Sequence, residues 1–367
     1  MKKNYLFGML ALAAMTMVGC SNDEVVNDYS QDNAIQFGTY VGRDAQGRAS
    51  VIDQTALEAQ GFGVFAFYRM GGAAVTATTP DFMNNEKVWK AQGATPLLPN
   101  GWTYAPVKYW PNNEADKIDF YAYAPYEEGK SWNETSVNIE IKGDATSQID
   151  YLYADPVKDK TKQKVDEQVK FVFHHALSRI GFKVEAVIDD VNKQEDGAFE
   201  DEDKENTDFY DGSTKVTVQE VEIFAPFAKG GTLSLETGVI TPSSDDYVSF
   251  ALTEANDDFI ANVNDKGVSI TKQQLNKDSK YLMLVPEPLT NVKVRVKYTV
   301  TTYDNKLPNG KSEIVNDITS ESFNFEFVKG HAYDFVLHLG LTSVKLSAEI
   351  TEGWSEHDVV VNVPINE

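Results

Sequence analysis

The sequence is poor in cysteine and in basic residues. Cys20 is the only cysteine among 367 residues, so no disulfide can form within the chain. Burial and backbone hydrogen bonds must therefore stabilise the fold. Lysine and arginine together number 33 against 56 aspartates and glutamates, which gives a formal net charge of −23. This charge argues against nucleic acid or anionic lipid surfaces as partners.

Motifs of enzyme chemistry are missing as well. The sequence contains no nucleophile elbow, phosphate-binding glycine loop, CxxC or HExxH motif. The one histidine pair, His174 and His175, cannot chelate a single metal from a regular strand, because adjacent side chains point to opposite faces. We therefore expect no catalytic residues, no metal site and no cofactor, although the many carboxylates leave acid–base pairs open.

The N-terminal residues 1–20 have the layout of an export signal. Lys2 and Lys3 precede an apolar run over residues 5–18, which is too short to cross a bilayer, and a glycine before Cys20 closes it. Residues 17–20 resemble a bacterial lipobox, with Met17 in place of the usual leucine. We predict that Cys20 is lipidated; a buried, unmodified thiol is the alternative. Two or more acyl chains would anchor the protein durably, at about 0.8 kcal/mol per buried methylene.

The residues after Cys20 predict which side of the outer membrane the protein faces. Residues 21–24 (SNDE) resemble the short acidic export tag of surface lipoproteins in gut and oral Gram-negative anaerobes. Residues 21–33 contain few apolar side chains, which predicts a flexible tether. The expected location is thus the exposed face of the cell outer membrane.

The remaining chain, about 347 residues, is long enough for two domains. Apolar and polar residues alternate strictly over residues 292–298, 323–327, 333–339 and 344–350. This period predicts an all-β protein of antiparallel sandwiches with one buried and one solvated face per sheet. A polar, lysine-rich break places the boundary between an N-terminal domain at 34–160 and a C-terminal domain at 165–367.

Local patterns predict several elements. Residues 34–37 form a first strand, followed by a loop over 38–47; Asp53 caps a short helix that ends at Gln60. Residues 61–68 are apolar on both faces, which predicts a central strand. Segments 102–110 and 118–124 are predicted to pair as a hairpin, and a β-bulge is expected near Gln219 and Glu220.

Residues 189–211 carry eleven acidic residues against two lysines. Such a run repels itself, which predicts a solvated hairpin loop. A calcium site is the sharper alternative, but the regular ligand spacing with its glycine is missing.

Taken together, several motifs resemble those of the fimbrillin family. They are AIQF (34–37), GFGVFAF (61–67), KYWP (108–111), KIDFYAYAP (117–125), FHHALSR (173–179), GTLSL (231–235), MLVP (283–286) and GHAY (330–333). The resemblance spans nearly the whole mature chain. It implies two transthyretin-like antiparallel β-sandwich domains, lipidation for export, and assembly with other fimbrial subunits into a type V-like pilus that supports adhesion.

The resemblance also implies an assembly mechanism. An Arg-specific protease would cut the loop after the first strand, here after Arg48 or, second, Arg43. The first strand would leave, and an extended segment of a neighbour would fill its groove by β-strand addition. The alternative is that both arginines merely keep a surface loop soluble.

The C-terminal segment is the candidate donor. Val359, Val361 and Val363 alternate along one face before Pro364, which cannot extend an internal ladder. The segment either closes the sheet of its own domain or enters the groove of another copy.

A different function stays open: a surface lipoprotein that binds a glycan or a host or microbial receptor and does not polymerise. The five tryptophans, Trp89, Trp102, Trp110, Trp132 and Trp354, could stack on sugars. An exposed coplanar aromatic pair would favour this function, whereas buried tryptophans would favour the pilus subunit.

Overall fold

The computed structural model describes residues 33–41, 52–75, 78–91, 98, 101–143, 147–162, 167–188, 214–243, 247–252, 268–269, 273–275, 281–303, 306–351 and 360–364. Cys20, the tether before Asn33, Arg43, Arg48, the acidic run 189–211, Trp354 and Val359 lie outside them. The predictions of lipidation, protease cleavage and calcium binding therefore remain predictions.

Within these residues the chain forms 23 strands and one α-helix, which confirms the all-β fold class. The first elements are β1 Phe37–Val41, α1 Gln54–Gln60, β2 Phe62–Arg69, β3 Met83–Lys90, β4 Trp102–Thr103, β5 Lys117–Ala124, β6 Ser136–Glu140, β7 Leu152–Ala154, β8 Val157–Lys160 and β9 Val169–His175. A 3-10 turn, Met70–Gly72, follows β2.

The later elements are strands throughout. They are β10 Ser178–Ile188, β11 Thr214–Ala228, β12 Gly230–Ser234, β13 Ile240–Pro242, β14 Tyr247–Leu252, β15 Val268–Ser269, β16 Gln273–Gln274, β17 Leu282–Leu284, β18 Pro288–Tyr303, β19 Lys311–Thr319, β20 Phe323–Glu326, β21 Ala332–Leu339, β22 Val344–Thr351 and β23 Val360–Pro364.

The first sheet has eight strands in the order β1-β9-β7-β5-β2-β3-β4, with β8 added on β5. The predicted central strand is confirmed, because β2 lies between β5 and β3. Both faces of β2 and β5 are buried, so their sequences are almost continuously apolar. One face packs on Phe37 and Phe171, and the other faces a second core that reaches into the C-terminal half.

The predicted helix is also confirmed. The Asp53 carboxylate accepts a hydrogen bond from the Ala56 backbone N–H at 2.6 Å, which satisfies one of the otherwise unpaired amides of the first turn. Leu57 is fully buried against the first sheet, and the helix stops at Gly61.

Two local predictions are wrong, one in the bounds of a strand and the other in its pairing partner. The first strand is Phe37–Val41, not 34–37, so residues 38–41 are strand rather than loop. Segment 102–110 contributes only β4, which pairs with β3 and not with β5. The cause is competition for partners: residues 108–110 bond to residues 33–35 instead, through a bridge between Ala34 and Tyr109.

The second sheet runs β15-β10-β21-β22-β23, with β16 and β17 also paired to β10. The third sheet runs β14-β11-β18-β19, with β20 on β18. Their inner faces share one hydrophobic core, built from alternate residues such as Val294, Val296, Phe335 and Leu337. The four alternating segments are confirmed as strands, and the bulge is confirmed by the register shift between Val218 and Glu220.

A small joining sheet, β13-β12-β6, combines strands from both halves of the chain. Residues of β6 pair with β12 from Ser136 opposite Ser234 to Glu140 opposite Gly230. Strand β9 also lies beyond the predicted boundary at 160–165, yet it belongs to the first sheet. A strand that follows this boundary along the chain is thus part of the sheet formed by the residues before it.

Most pairings are antiparallel, as expected, but two are parallel: β1 with β9 and β10 with β21. Both pairs join strands more than 100 residues apart along the chain, so a long crossover is available to each. Alternation along a strand specifies the face of each side chain and carries no information on strand direction.

Candidate functional site

The first strand is held from both sides by backbone hydrogen bonds. On one side the Ile35 N–H donates to the Lys108 carbonyl at 2.9 Å, and the Trp110 N–H donates to the Asn33 carbonyl at 3.0 Å. On the other side the Val169 N–H donates to the Gln36 carbonyl at 2.8 Å, where the parallel ladder with β9 begins. Residues 33–41 therefore occupy a cleft between segment 104–110 and β9, which we call the β1 seat.

Phe37 fills an aromatic pocket in this seat. Its ring centroid lies 5.4 Å from Tyr104, 5.7 Å from Phe171, 6.0 Å from Phe120 and 6.2 Å from Phe62. Phe171 is stacked on it and the other three meet it edge to face, geometries that aromatic pairs prefer. Phe37 and Ile35 are both fully buried. The pocket is thus shaped around one ring.

Tyr104 links the seat to the strand inside it. Its hydroxyl donates to the Ile35 carbonyl at 2.9 Å and accepts from the Lys108 N–H at 3.2 Å. The side chain is fully buried, and this burial raises the pKa of the Tyr104 hydroxyl. The group therefore keeps its proton at neutral pH and can donate to a backbone carbonyl at this point.

The connection between β1 and α1 is anchored at its downstream end. The Ile52 N–H donates to the buried Asp150 carboxylate at 2.8 Å, and the Nδ1 atom of His175 lies 3.1 Å from the same carboxylate. The Gln54 amide donates to the Thr39 hydroxyl at 3.0 Å, which ties α1 to β1. Arg43 and Arg48 lie in sequence between Val41 and Ile52.

The C-terminal strand β23 pairs within its own chain. Val361 stands opposite Ile350 and Val363 opposite Ala348 in an antiparallel ladder with β22. This is the in-chain alternative weighed from the sequence. A donor role for Val359, Val361 and Val363 requires this ladder to be given up and stays a prediction.

The histidine pair behaves as the strand geometry requires. The Nε2 atom of His174 lies 3.0 Å from a carboxylate oxygen of Asp155, whereas His175 faces Asp150. Across the described residues no group of three or more His, Cys, Asp or Glu side chains is arranged to hold a metal ion. No helix in the same residues is long and apolar enough to cross a membrane.

The described tryptophans contribute to the cores. Trp102 and Trp110 are buried, and Trp89 packs on the core of the first sheet. Trp132 is partly buried among Phe65, Phe67 and Tyr121, with ring centroids 4.9–5.4 Å apart. The four described tryptophans are therefore core residues of the two clusters.

Sequence reasoning missed Tyr104 and Asp150 as parts of the site. Nothing in the local pattern distinguishes Tyr104 from the other sixteen tyrosines of the chain, because its role depends on a partner 69 residues away. Only the pairing reveals these residues.

The geometry defines a class of protein: an all-β protein whose first strand is buried in the β1 seat. Its sheets combine strands from both halves of the chain. The fimbrillin-like family model matches residues 48–354, which is most of the sequence. The chain therefore belongs to the fimbrillin-like family. No curated protein matches the sequence.

The chain aligns with solved structures of several Bacteroides proteins. A fimbrial protein of Bacteroides vulgatus aligns with a TM-score of 0.61 at 20% identity, covering 88% of this chain and 100% of that chain. Candidate cell adhesion proteins of Bacteroides ovatus and Bacteroides uniformis align with TM-scores of 0.47 and 0.44 at 15% and 18% identity. Each alignment covers 88% of this chain and 98% of the other. At these identities the first alignment supports the fold alone.

Proposed function

We propose that this protein is a surface-exposed, non-catalytic subunit of a fimbria, a role that supports adhesion. Membership of the fimbrillin-like family supports this role. The observation that carries it is the β1 seat, in which a terminal strand is buried in a cleft of its own sheet. Its partners would be other fimbrial subunits, and contact with a receptor or glycan would be made by the assembled fimbria.

Assembly would proceed by exchange of the first strand. A cut after Arg48, or after Arg43, would leave β1 attached through noncovalent contacts alone. Burial of Ile35, Phe37 and Val41 contributes about 1.5–3 kcal/mol each, so an empty seat is costly. An extended segment of a neighbouring subunit would refill it with a new backbone ladder.

The test is the N-terminus of the surface-exposed protein in its native cells, where all partner subunits are present. We expect the mature form to begin at Ala49 and to run as large assemblies on an unboiled gel. In the Arg43→Ala/Arg48→Ala double variant the protein should begin at Cys20 and the assemblies should be lost. Assemblies that persist in the uncut variant would contradict exchange driven by cleavage.

Anchoring would depend on Cys20. Its two or three acyl chains would hold the precursor in the outer membrane until assembly. Cys20→Ala should abolish labelling by a radiolabelled fatty acid and mislocalise the protein, while Cys20→Ser controls for the loss of the thiol alone. Labelling that survives in both variants would rule out lipidation at this residue.

A further inference from the structure

The β1 seat fixes the register of whatever strand it holds. Tyr104, Lys108 and Trp110 bond to the backbone of residues 33–35, and Val169 bonds to Gln36. A slip by one residue would turn the buried side chains to the opposite face, because side chains alternate along a strand. Only a strand whose large apolar residues fall at the Ile35 and Phe37 positions can keep all these bonds.

The Phe37 position and the Gly38 position restrict the incoming strand in different ways. The Phe37 position is enclosed by the rings of Phe62, Tyr104, Phe120 and Phe171, so a smaller residue would leave a void among large, tightly packed groups. At the next position, Gly38, a Cβ atom would meet only the flexible end of the Gln168 side chain, which can turn away, so this position excludes proline rather than side chains in general.

The C-terminal strand of this chain does not match these positions. If Val361 and Val363 replace Ile35 and Phe37, then Pro364 falls at the Gly38 position and has no N–H for a ladder. If the strand moves by two residues, Val361 falls at the Phe37 position and Asn362 at Gly38. In both registers, with the strand running as β1 does, a valine enters the pocket built for a phenylalanine.

We infer that the β1 seat accepts a strand from a different polypeptide, one with an aliphatic residue, any residue, an aromatic residue and then a residue that keeps its backbone N–H. This inference rests on the proposed strand exchange and names the chemistry of its partner. The selecting residues are the four rings of the pocket, and Tyr104 sets the register. The valine-rich C-terminal strand would then serve the seat of another kind of subunit.

The experiment uses the full chain with a site for a specific protease placed within residues 43–48. The cut protein is unfolded and refolded with an excess of fluorescent nine-residue peptides, and the retained peptide is measured after gel filtration. One peptide copies residues 33–41 and another copies residues 358–366. Two further peptides carry Phe37→Val or Tyr40→Val; Tyr40 is 53% exposed, so this second change is a matched aromatic-to-valine control.

We expect the 33–41 peptide and its Tyr40→Val form to be retained equally. The Phe37→Val peptide and the 358–366 peptide should be retained at least about tenfold less. A tenfold ratio corresponds to about 1.4 kcal/mol of binding free energy. A 358–366 peptide with Val363→Phe and Pro364→Gly should regain retention, because it supplies the aromatic residue and restores the backbone N–H after it.

The outcomes separate the inference from the function it rests on. Equal retention of the 33–41 and 358–366 peptides would overturn the selectivity while leaving strand exchange in place. Failure to retain even the 33–41 peptide would overturn both. In the uncut chain, Phe37→Val should lower the unfolding midpoint by at least about 5 °C and Tyr40→Val should not. Equal midpoints would contradict a shaped pocket even if the cut protein does not refold.

Discussion

The first sheet and the sheets of the C-terminal half bury their apolar residues in different ways. In the first sheet, both faces of β2 and β5 are covered and the core is made of rings such as Phe62 and Phe120. In the second and third sheets, the buried face carries mostly aliphatic residues such as Val294 together with rings such as Phe335, and the other face carries ion pairs. Lys183, for example, lies 2.9 Å from Asp334 and 2.7 Å from Glu349.

This difference indicates why the candidate site lies where it does. Rings are large and rigid and meet in preferred orientations, so removal of one strand from an aromatic core leaves a cleft with a definite shape. Aliphatic side chains, which are more numerous in the core of the second and third sheets, repack more readily, so a cleft among them would discriminate less between incoming strands. A strand-binding seat with selectivity is therefore better built in the first sheet.

The largest expected effect tests this contrast directly. Phe37→Ala in the ring-lined pocket of the first sheet should reduce the free energy of unfolding by about 3–5 kcal/mol, and Leu337→Ala in the core of the second and third sheets by about 2–5 kcal/mol. Both residues are fully buried. We expect the Phe37 variant to lose more, because its rigid neighbours cannot close the void.

Urea unfolding monitored by circular dichroism measures both changes. Tyr40→Ala, on the same strand as Phe37 but largely exposed, is the control and should change stability by no more than about 0.5 kcal/mol. If Phe37→Ala behaves like Tyr40→Ala, the first strand does not contribute to the core as described, and the contrast between the two regions disappears.

The sequence predicted elements whose determinants are local. The helix cap at Asp53, the bulge after Val218 and the four alternating strands depend on neighbouring residues, and all were found as expected. The both-sided burial of β2 was likewise visible in its continuous apolar run. These features follow from side-chain period and from turn and cap chemistry.

The pairing of strands depends on distant residues and could not be predicted in this way. Segment 102–110 has the composition of a hairpin arm, yet its backbone groups bond to residues 33–35 across more than 70 positions. The parallel pairs and the sharing of β6 with β12 have the same origin. The β1 seat, which is made by such pairings, was therefore visible from the sequence only through a family resemblance.

A smaller effect is expected at the joint between the two regions. The turn between β12 and β13 places Gly238 directly on the ring of Tyr153 in β7, so that an added Cβ atom would overlap the ring. Lys329 stabilises this contact, because its ammonium donates hydrogen bonds to the Tyr153 hydroxyl at 2.9 Å and to the Thr237 carbonyl at 2.8 Å. The turn of the joining sheet is thus seated on the first sheet.

Gly238→Ala should destabilise the protein for two reasons. The residue has a φ of 67°, where alanine costs about 1 kcal/mol, and the overlap forces either the turn or the ring to move. Gly129→Ala is a matched control, since Gly129 has a φ of 80° with no atom within 4 Å of an added Cβ. We expect Gly238→Ala to lose about 1–2 kcal/mol more than Gly129→Ala, with faster amide exchange in β12 and β13.

The double variant Gly238→Ala/Tyr153→Ala then assigns the cause. Removal of the ring also removes the overlap, so the two changes should be non-additive by at least about 0.5 kcal/mol. Strict additivity would mean that the turn does not press on the ring. In that case the joint would be held by the β6–β12 ladder and the hydrogen bonds of Lys329, without a contribution from the contact between Gly238 and the Tyr153 ring.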